Sequence, residues 1–523
     1  MLTSKGKWRK TSSMLLVLAM ALSVTAGCSQ NGSNNEKGST PSSTNGQESA
    51  NPQETAKSEE PFKLSVMAMT ASAETPKDDN EILNALEEAT GTQLDFTWVP
   101  KAQIDEKTNL MLASGDLPQL MYIQSLKSPS IISAAESGAF WDVEPYLGDY
   151  PNLSQENPSI VNNIRIDGKQ YGIYKYSNLA QVGVIYRKDW LNNVGMEEPK
   201  TPDEFYEMLK AFKTEDPDKN GKDDTYGMVY YKESFLSFFR IIALWFGSPN
   251  IWGEDKDGNL VPDFMTDGYM EGLKFMKRLY DEKLMNQDFA VVDSGKGNEL
   301  FITGVAGANF GSVGNANAWQ TNEKITAQNG EVDMFSTLDG GFGPRARASG
   351  GYLGVYMIPK KTVKTEDELR KVLQFLDKLN EQKAQDLLEY GIEGKHYQLE
   401  NGEVKVLDKE QLLKDRLDLN QLQLKTVNHL TPKQNSDFGK KMEALVQANE
   451  KVAVVNLAEA FISDTYSKQG QQLDNMRYDM MVKFVMGQID EAGYKAEIDK
   501  WLQAGGSAVI QELNDQYQKF KKQ

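Results

Sequence analysis

The apolar positions along the chain fall into short alternating runs and helical stripes. From Phe62, Leu64, Val66 and Ala68 recur at every second position, the pattern of a strand with one face buried. Ile82, Leu83, Leu86 and Ala89 then share a helical face. Asp79 or Asn80 is placed to cap that helix and Gly91 to close it. Leu94, Phe96 and Trp98 alternate again. Strand, helix, strand in this order predicts a parallel α/β sheet. Helical signals return over 103–113. The turn Ser114-Gly-Asp-Leu-Pro118, the apolar run Leu120-Met-Tyr-Ile123 and a helix predicted over 128–137 follow. Further on, Thr201 and Glu204 have capping-box spacing around Pro202, and Phe205, Met208, Leu209 and Phe212 form one stripe. Tyr269, Leu273, Met276 and Tyr280 mark another helix. Beyond about residue 410 the pattern reads almost entirely helical, and no solenoid-period repeat is present.

The N-terminus follows a different rule. Lys5, Lys7, Arg9 and Lys10 precede an apolar run over 14–22, and Thr25-Ala26-Gly27 leads into Cys28. A basic start, a short apolar run and small residues make a secretory signal over 1–27, too short to cross a bilayer as a mature helix. Cys28 is the only cysteine, so no intramolecular disulfide forms. Its setting resembles the lipobox of bacterial lipoproteins, whose cysteine is freed and acylated, with Thr25 where Leu is usual. The alternative is a plain secretory signal with an incidental cysteine. Residues 28–60 are Ser, Asn, Gly, Thr, Gln and Glu with almost no large apolar side chain, the composition of a flexible tether. The expected location is the outer face of the cell membrane, held by the lipid.

Composition narrows the function. With 57 basic and 75 acidic residues the net charge is −18, which excludes a nucleic-acid binder of the usual basic kind. It opposes, less firmly, a highly anionic polymer as ligand, since a local basic patch overrides a total. His396 and His429 are the two histidines, leaving few options for histidine-rich metal sites. Glu393 and His396, three apart without a nucleophile or metal set, read as a hydrogen-bonded loop rather than a catalytic pair.

The sharpest local motif is Asp216-Pro-Asp-Lys-Asn-Gly-Lys-Asp-Asp224. Asp216, Asp218 and Asn220 alternate, Gly221 permits a sharp turn, and Asp224 follows. The spacing folds several oxygens around one hard cation, with the Lys222 carbonyl as a further ligand. Gly227 stands where a full EF-hand loop has its bidentate Glu, leaving Asp223 or the Thr225 hydroxyl to compensate. The expectation is structural Ca²⁺, and the alternative a polar turn held by side-chain-to-backbone bonds. Asp255-Lys-Asp-Gly258 reads as a hairpin turn between Trp252 and Leu260.

The order of motifs resembles the extracellular solute-binding proteins of ABC importers, in the class that includes maltose-binding protein, and within it the long lipoprotein branch of oligosaccharide and alginate-type uptake. The matching segments are Ala113-Ser-Gly-Asp-Leu-Pro118, Asp167-Gly-Lys-Gln-Tyr-Gly172, Tyr186-Arg-Lys-Asp-Trp-Leu191, Pro199-Lys-Thr-Pro-Asp-Glu204, the Asp216 loop ending in Tyr226-Gly227, and Tyr390-Gly-Ile-Glu-Gly-Lys-His-Tyr397. The resemblance implies two α/β lobes joined by several hinge crossings, with a helical C-terminal part. Lobe 1 is then 61–178 plus 351–410, and lobe 2 is 179–350 plus 411–523. Some members bind calcium at the equivalent of the Asp216 loop, with an acidic residue where this chain has Thr225. The implied partners are an oligosaccharide, permease subunits and the membrane through the anchor, with the protein a monomer.

A sugar cleft needs aromatic faces for C–H surfaces and amides, carboxylates or Arg for hydroxyls. The family places ligand contacts on the loop carrying Gln124 and Ser125. Tyr176 stands where the chain first crosses between lobes. Trp245, in Ala243-Leu-Trp-Phe-Gly247, is balanced between core and cleft. Trp319, in a Gly- and Asn-rich stretch, reads as a cleft residue because glycine-rich loops rarely build cores. Trp98 and Trp190 read as packing residues. Arg240, within Phe238-Phe-Arg-Ile-Ile, needs a buried carboxylate or a ligand. Arg345 and Arg347 follow Gly-Phe-Gly-Pro and read as part of a solvated loop, with reach to a charged sugar as the alternative. The function expected is capture and delivery of an oligosaccharide, without catalysis. The competing readings are an extracellular polysaccharide-degrading enzyme and a ligand-binding sensor lipoprotein.

Overall fold

The protein is described from a computed structural model covering residues 61–72, 74–77, 79–401, 403–424 and 436–522. The expectations for the signal, the tether, Cys28 and His429 lie outside the described residues.

Nine strands build two main sheets: β1 (Phe62–Thr70), β2 (Thr92–Pro100), β3 (Leu120–Ile123), β4 (Gly172–Tyr176), β5 (Val182–Arg187), β6 (Tyr226–Met228), β7 (Ala306–Ser312), β8 (Val332–Phe335) and β9 (Tyr352–Met357). The first sheet has the order β2-β1-β3-β9-β4. β1 runs parallel to β2 and β3, and β9 returns antiparallel between β3 and β4. The carboxyl ends of β1 to β4 therefore share one edge. The second sheet, β8-β5-β7-β6, has β5 antiparallel to β7 and β8, and β6 parallel to β7.

Local chemistry explains these elements. The helix Glu81–Thr90 starts where the Asn80 carboxamide accepts the Ile82 and Leu83 N–H groups, both at 3.0 Å, so Asn80 and not Asp79 is the cap. It ends at Gly91 with φ 66°, a conformation natural to glycine. At Pro202–Thr214 only half of the predicted capping box forms. Thr201 Oγ1 accepts the Glu204 N–H at 3.2 Å, but the Glu204 carboxylate accepts the Lys200 N–H at 2.7 Å. The complete box is at Thr365 and Glu368. The Asp255 motif is the expected turn, joining the antiparallel pair Trp252–Glu254 and Leu260–Pro262.

Each sheet carries its own hydrophobic core. The first includes Leu64, Val66, Ile123, Val355 and Leu373, the second Val184, Phe205, Trp245, Phe310 and Phe484. The first core continues through Leu419, Leu422 and Leu424, past the boundary expected at 410. The 3₁₀ segment Leu417–Leu422 lies along the carboxyl edge of the first sheet. Lys175 Nζ donates to the Asn420 and Gln421 carbonyls (2.7 and 3.1 Å), and the Tyr176 N–H donates to the Leu424 carbonyl (2.8 Å). Two crossings run side by side between the sheets. The Ser177 N–H donates to the Gly351 carbonyl (2.9 Å) and the Ser349 N–H to the Leu179 carbonyl (2.7 Å). The C-terminal part is mainly the helices Asp437–Lys451, Asp464–Val485, Glu491–Trp501 and Ser507–Phe520. One departure from the helical expectation is Ala453–Val454, which pairs in parallel with Ala346–Arg347.

Candidate functional site

Beside the carboxyl edge of the first sheet lies a cavity of ≈ 570 Å³, lined among others by Tyr122, Gln124, Tyr176, Leu353, Gln421 and Gln423. Open α/β sheets place ligands at this edge because the loops there converge. Gln124 follows β3 directly and Tyr176 closes β4, so sheet order brings these two predicted residues together. The Tyr176 hydroxyl donates to Asn178 Oδ1 at 3.2 Å, which ties the ring to the first crossing. The Tyr122 hydroxyl donates to the Leu353 carbonyl at 2.9 Å. Burial, assisted by Asp105, pushes it up to about 12, so it stays a neutral donor. The cavity thus offers rings, planar amides and hydroxyls together, the set that suits a polyhydroxylated ligand. Ser125 turns away and donates to Asp105 Oδ2 at 2.7 Å.

The other predicted contacts are occupied elsewhere. Trp245 has 0% exposure and stands edge-on to Phe205 at 5.5 Å. Its helix, Lys232–Trp245, is apolar on the side facing the second core, and the ring is held there. Trp319 lies in the helix Val313–Gln320, not in a loop, and packs on Phe301 at 4.8 Å. Ser312 caps that helix by accepting the Asn315 N–H, so Gly and Asn in the sequence mark a helix start. Arg240 donates from Nε to Asp263 Oδ2 at 2.6 Å and from Nη1 to the Leu236 carbonyl at 3.0 Å, with both charged residues buried. Of its two possible partners, the carboxylate is the one present. Trp190 is buried beside Arg187 and Phe212, and Trp98 stacks on Phe96 at 4.6 Å.

The Asp216 loop curls on itself. Asp216 Oδ1 accepts the Asn220 N–H at 3.0 Å and Asp216 Oδ2 the Gly221 N–H at 3.1 Å. The Asn220 amide donates to Asp218 Oδ2 (2.7 Å) and Asp224 Oδ1 (3.1 Å), and Asn220 Oδ1 accepts the Lys222 N–H (2.8 Å). Burial, with the neighbouring Asp216 and Asp224 adding to it, raises the Asp218 carboxyl above its ordinary range. Neither expected substitute for the missing Glu is free. The Thr225 hydroxyl is buried and donates to the Phe212 carbonyl at 2.8 Å, and Asp223 pairs with Lys213. Among the described residues no group of three or more His, Cys, Asp or Glu is arranged to hold a metal.

His396 is fully buried, with Nδ1 accepting the Ile392 N–H at 2.9 Å and Nε2 facing Asp415 Oδ2 at 3.0 Å. Both ring nitrogens therefore lock a loop. The polar lining that sequence reasoning did not name includes Lys101, Lys175 and Glu389, and the pair Gln421 and Gln423. The signal of that pair, the alternating polar and apolar residues of Asp418-Leu-Asn-Gln-Leu-Gln-Leu424, was covered by the helical reading of everything past 410.

Comparison with known proteins agrees with this geometry. Residues 72–386 match the model of the bacterial extracellular solute-binding protein family. Lipoprotein LipO of Bacillus subtilis (strain 168) is 40% identical over 467 residues, 88% of this chain and 93% of that one. The polygalacturonan/rhamnogalacturonan-binding protein YtcQ of the same organism is 37% identical, over 99% of this chain and 100% of its own. Among solved structures, an extracellular solute-binding protein of Bifidobacterium longum subsp. infantis superposes with a TM-score of 0.70 at 16% identity, covering 87% of this chain and 98% of that one. An EF-hand mutant of the S. pneumoniae ABC-transporter substrate-binding protein FusA, in complex with fructo-nystose, gives 0.63 at 20% identity over 88% and 99%. With two sheets of this topology, a cavity at the strand ends beside paired crossings, and matches along nearly the whole chain, the protein belongs to the bacterial extracellular solute-binding protein family.

Proposed function

We propose that this protein captures an oligosaccharide between its two lobes and delivers it chemically unchanged to the permease of an ABC importer. The observation that carries this reading is the cavity at the carboxyl ends of β3 and β4, where Gln124 and Tyr176 meet directly beside the crossing at 177–181. A ligand seated there and touched by the second lobe on closure favours the closed state through its extra contacts. The chemistry of the relatives supports the ligand class, since one is a polygalacturonan/rhamnogalacturonan-binding protein and another an ABC-transporter substrate-binding protein holding an oligosaccharide. Acylation of Cys28 tethers the monomer to the outer face of the membrane within reach of the permease.

Calcium belongs to the same proposal. Asp216, Asp218, Asn220 and Asp224, with the Lys222 carbonyl, would hold the ion. The hydrogen bonds of the loop support this, because they draw the side chains of Asp216, Asp218, Asn220 and Asp224 into one turn. The ion's contribution is rigidity of the loop.

The test is calorimetry and small-angle scattering on the lipid-free protein, with and without calcium, across neutral and acidic oligosaccharides. One sugar class binds, the radius of gyration falls on binding, and the sugar is recovered intact. Unchanged dimensions with every bound sugar, or cleavage products, would sink the reading. Chelation lowers the melting temperature; no change after verified metal removal would end the calcium part alone.

A further inference from the structure

A second, smaller cavity of ≈ 190 Å³ lies at the crossings, lined by Asn163 of the first lobe, by Arg347 and Ser349 of the return crossing, and by Ile251, Asn456 and Glu459 of the second lobe. Arg347 stands out among the arginines near it. Pairing of Ala346–Arg347 with Ala453–Val454 fixes its backbone. Its Nε is buried and meets no acceptor. Among the described residues its guanidinium has no hydrogen-bonded or ion-paired partner. Nearby, Arg240 has Asp263, and Arg345 donates to the Ser248 carbonyl at 3.1 Å. Glu459 lines the same cavity, but one of its oxygens accepts from the Asn456 amide at 2.8 Å. Burial, reinforced by the like charge of Arg240 and opposed by the charge of Glu459 and by Tyr230, draws the Arg347 guanidinium down to about 10, so it is a cation at neutral pH.

A half-buried guanidinium whose Nε is shut away from solvent without an acceptor is an unfavourable arrangement that an anion completes. Its planar fork matches a carboxylate through two parallel N–H···O bonds, which a hydroxyl cannot reproduce. The cavity opens on residues of both lobes, so a ligand group reaching it touches Asn163 on one side and Asn456 on the other. Short-range pairing of this kind also resolves a conflict in the composition. A net charge of −18 repels anions at long range, but that field is screened within about 10 Å at ordinary salt, and a contact pair is not.

We infer that Arg347 forms a carboxylate subsite at the lobe crossings, so that the captured oligosaccharide is acidic and carries a uronate unit. This rests on the capture reading above and adds the ligand's charge to it.

The experiment is titration calorimetry at neutral pH with trigalacturonate, its methyl ester and neutral galactotriose, on the wild type, Arg347→Gln and Arg347→Lys. Sodium acetate alone is the control. Wild type binds the acid about tenfold to a hundredfold more tightly than the ester. Arg347→Gln removes that preference, weakening the acid far more than the ester. Arg347→Lys, which keeps the charge and loses the fork, falls between them, and it decides the matter if the Gln variant does not fold. Equal binding of acid and ester by the wild type overturns the proposal, as does an unchanged preference in the folded variants. Acetate binding as tightly as the trimer marks an adventitious anion contact only, which also overturns it. Binding of neutral sugars with none of either uronate removes the subsite and leaves the capture reading. Failure of every sugar in this panel and the broader one removes both.

Discussion

The two lobes bury different kinds of side chain. The first core is mostly aliphatic, with Leu64, Val66, Ile82, Leu86, Ile131 and Leu373 against the sheet. The second is a network of rings. Phe205 meets Trp245 at 5.5 Å and Phe335 at 5.7 Å, Phe239 meets Tyr269 at 4.8 Å, and Trp190 meets Phe212 at 5.6 Å. In the first lobe Tyr176, half-buried at the end of β4, stands instead beside the cavity, while Tyr122 reaches its lining from within the core. An aromatic residue therefore means different things in the two lobes. In the second it fills volume, and its edge-to-face contacts add to burial. In the first, Phe140, Tyr174, Tyr356 and Phe375 fill volume in the same way, and only at a strand end, as at Tyr176, does a ring have a face to offer.

The sharpest way to break this comparison is to exchange the fates of one ring from each lobe. Trp245→Ala removes a fully buried indole from the ring network and should cost about 3–5 kcal/mol of stability, while sugar affinity of the folded fraction stays within about twofold, less than half a kcal/mol. Tyr176→Ala should do the reverse, weakening binding by about tenfold, the loss of roughly one stacking contact, with little change in melting. Differential scanning calorimetry and titration on both variants decide it. A Trp245→Ala protein that melts normally but binds poorly would reverse the assignment of rings to roles.

This contrast also explains how much the sequence disclosed. Periodicity found β1, β2 and the helix between them, because an amphipathic element carries its own address in every second or every third to fourth residue. The strand-end residues Gln124 and Tyr176 were legible through position in the family order, not through composition. Trp245 and Trp319 were not, since a buried ring and a cleft ring are the same letter. What separates them is whether a second element lies over the ring, and that is a long-range fact. The Asp216 loop was readable as a turn with clustered oxygens. The diversion of Thr225 to the Phe212 carbonyl depends on a helix residue thirteen positions earlier. The run to Leu424 was hidden for a similar reason: its bonds to Lys175 and Tyr176 and its place in the first core are what show that it belongs to the first lobe.

Buried charge extends the comparison. In the second lobe Arg240 and Asp263 form a closed pair, and Phe264 adds a backbone N–H to Asp263 Oδ1 at 2.8 Å. Removing one partner strands the other, so Arg240→Met should destabilise by about 3 kcal/mol or more. Replacing both, as Arg240→Met with Asp263→Leu, should recover much of that loss. Chemical denaturation of the single and double variants measures the difference. A double variant as unstable as the single one would show that the pair is bound into a wider network rather than self-contained.

The smallest expected effect lies in the first lobe, where a buried carboxyl is left half satisfied. Glu156 Oε2 accepts from the Gln170 amide at 2.7 Å, while Oε1 is buried without a partner. Burial pushes this carboxyl up to about 7, against the lowering effect of Gln170. The folded protein therefore holds a proton that the unfolded chain releases near pH 4.5. Its contribution to stability is fully present below that pH and is lost as the pH rises through 7. Glu156→Gln keeps the neutral form at every pH. The variant should match the wild type near pH 4 and exceed it at pH 8 by about 2 kcal/mol, the scale of a shift this large after allowing for partial solvent contact. A constant gap between Glu156→Gln and wild type from pH 4 to pH 8 would mean that the carboxyl is ionised throughout, and the difference between the lobes in how they handle buried charge would disappear.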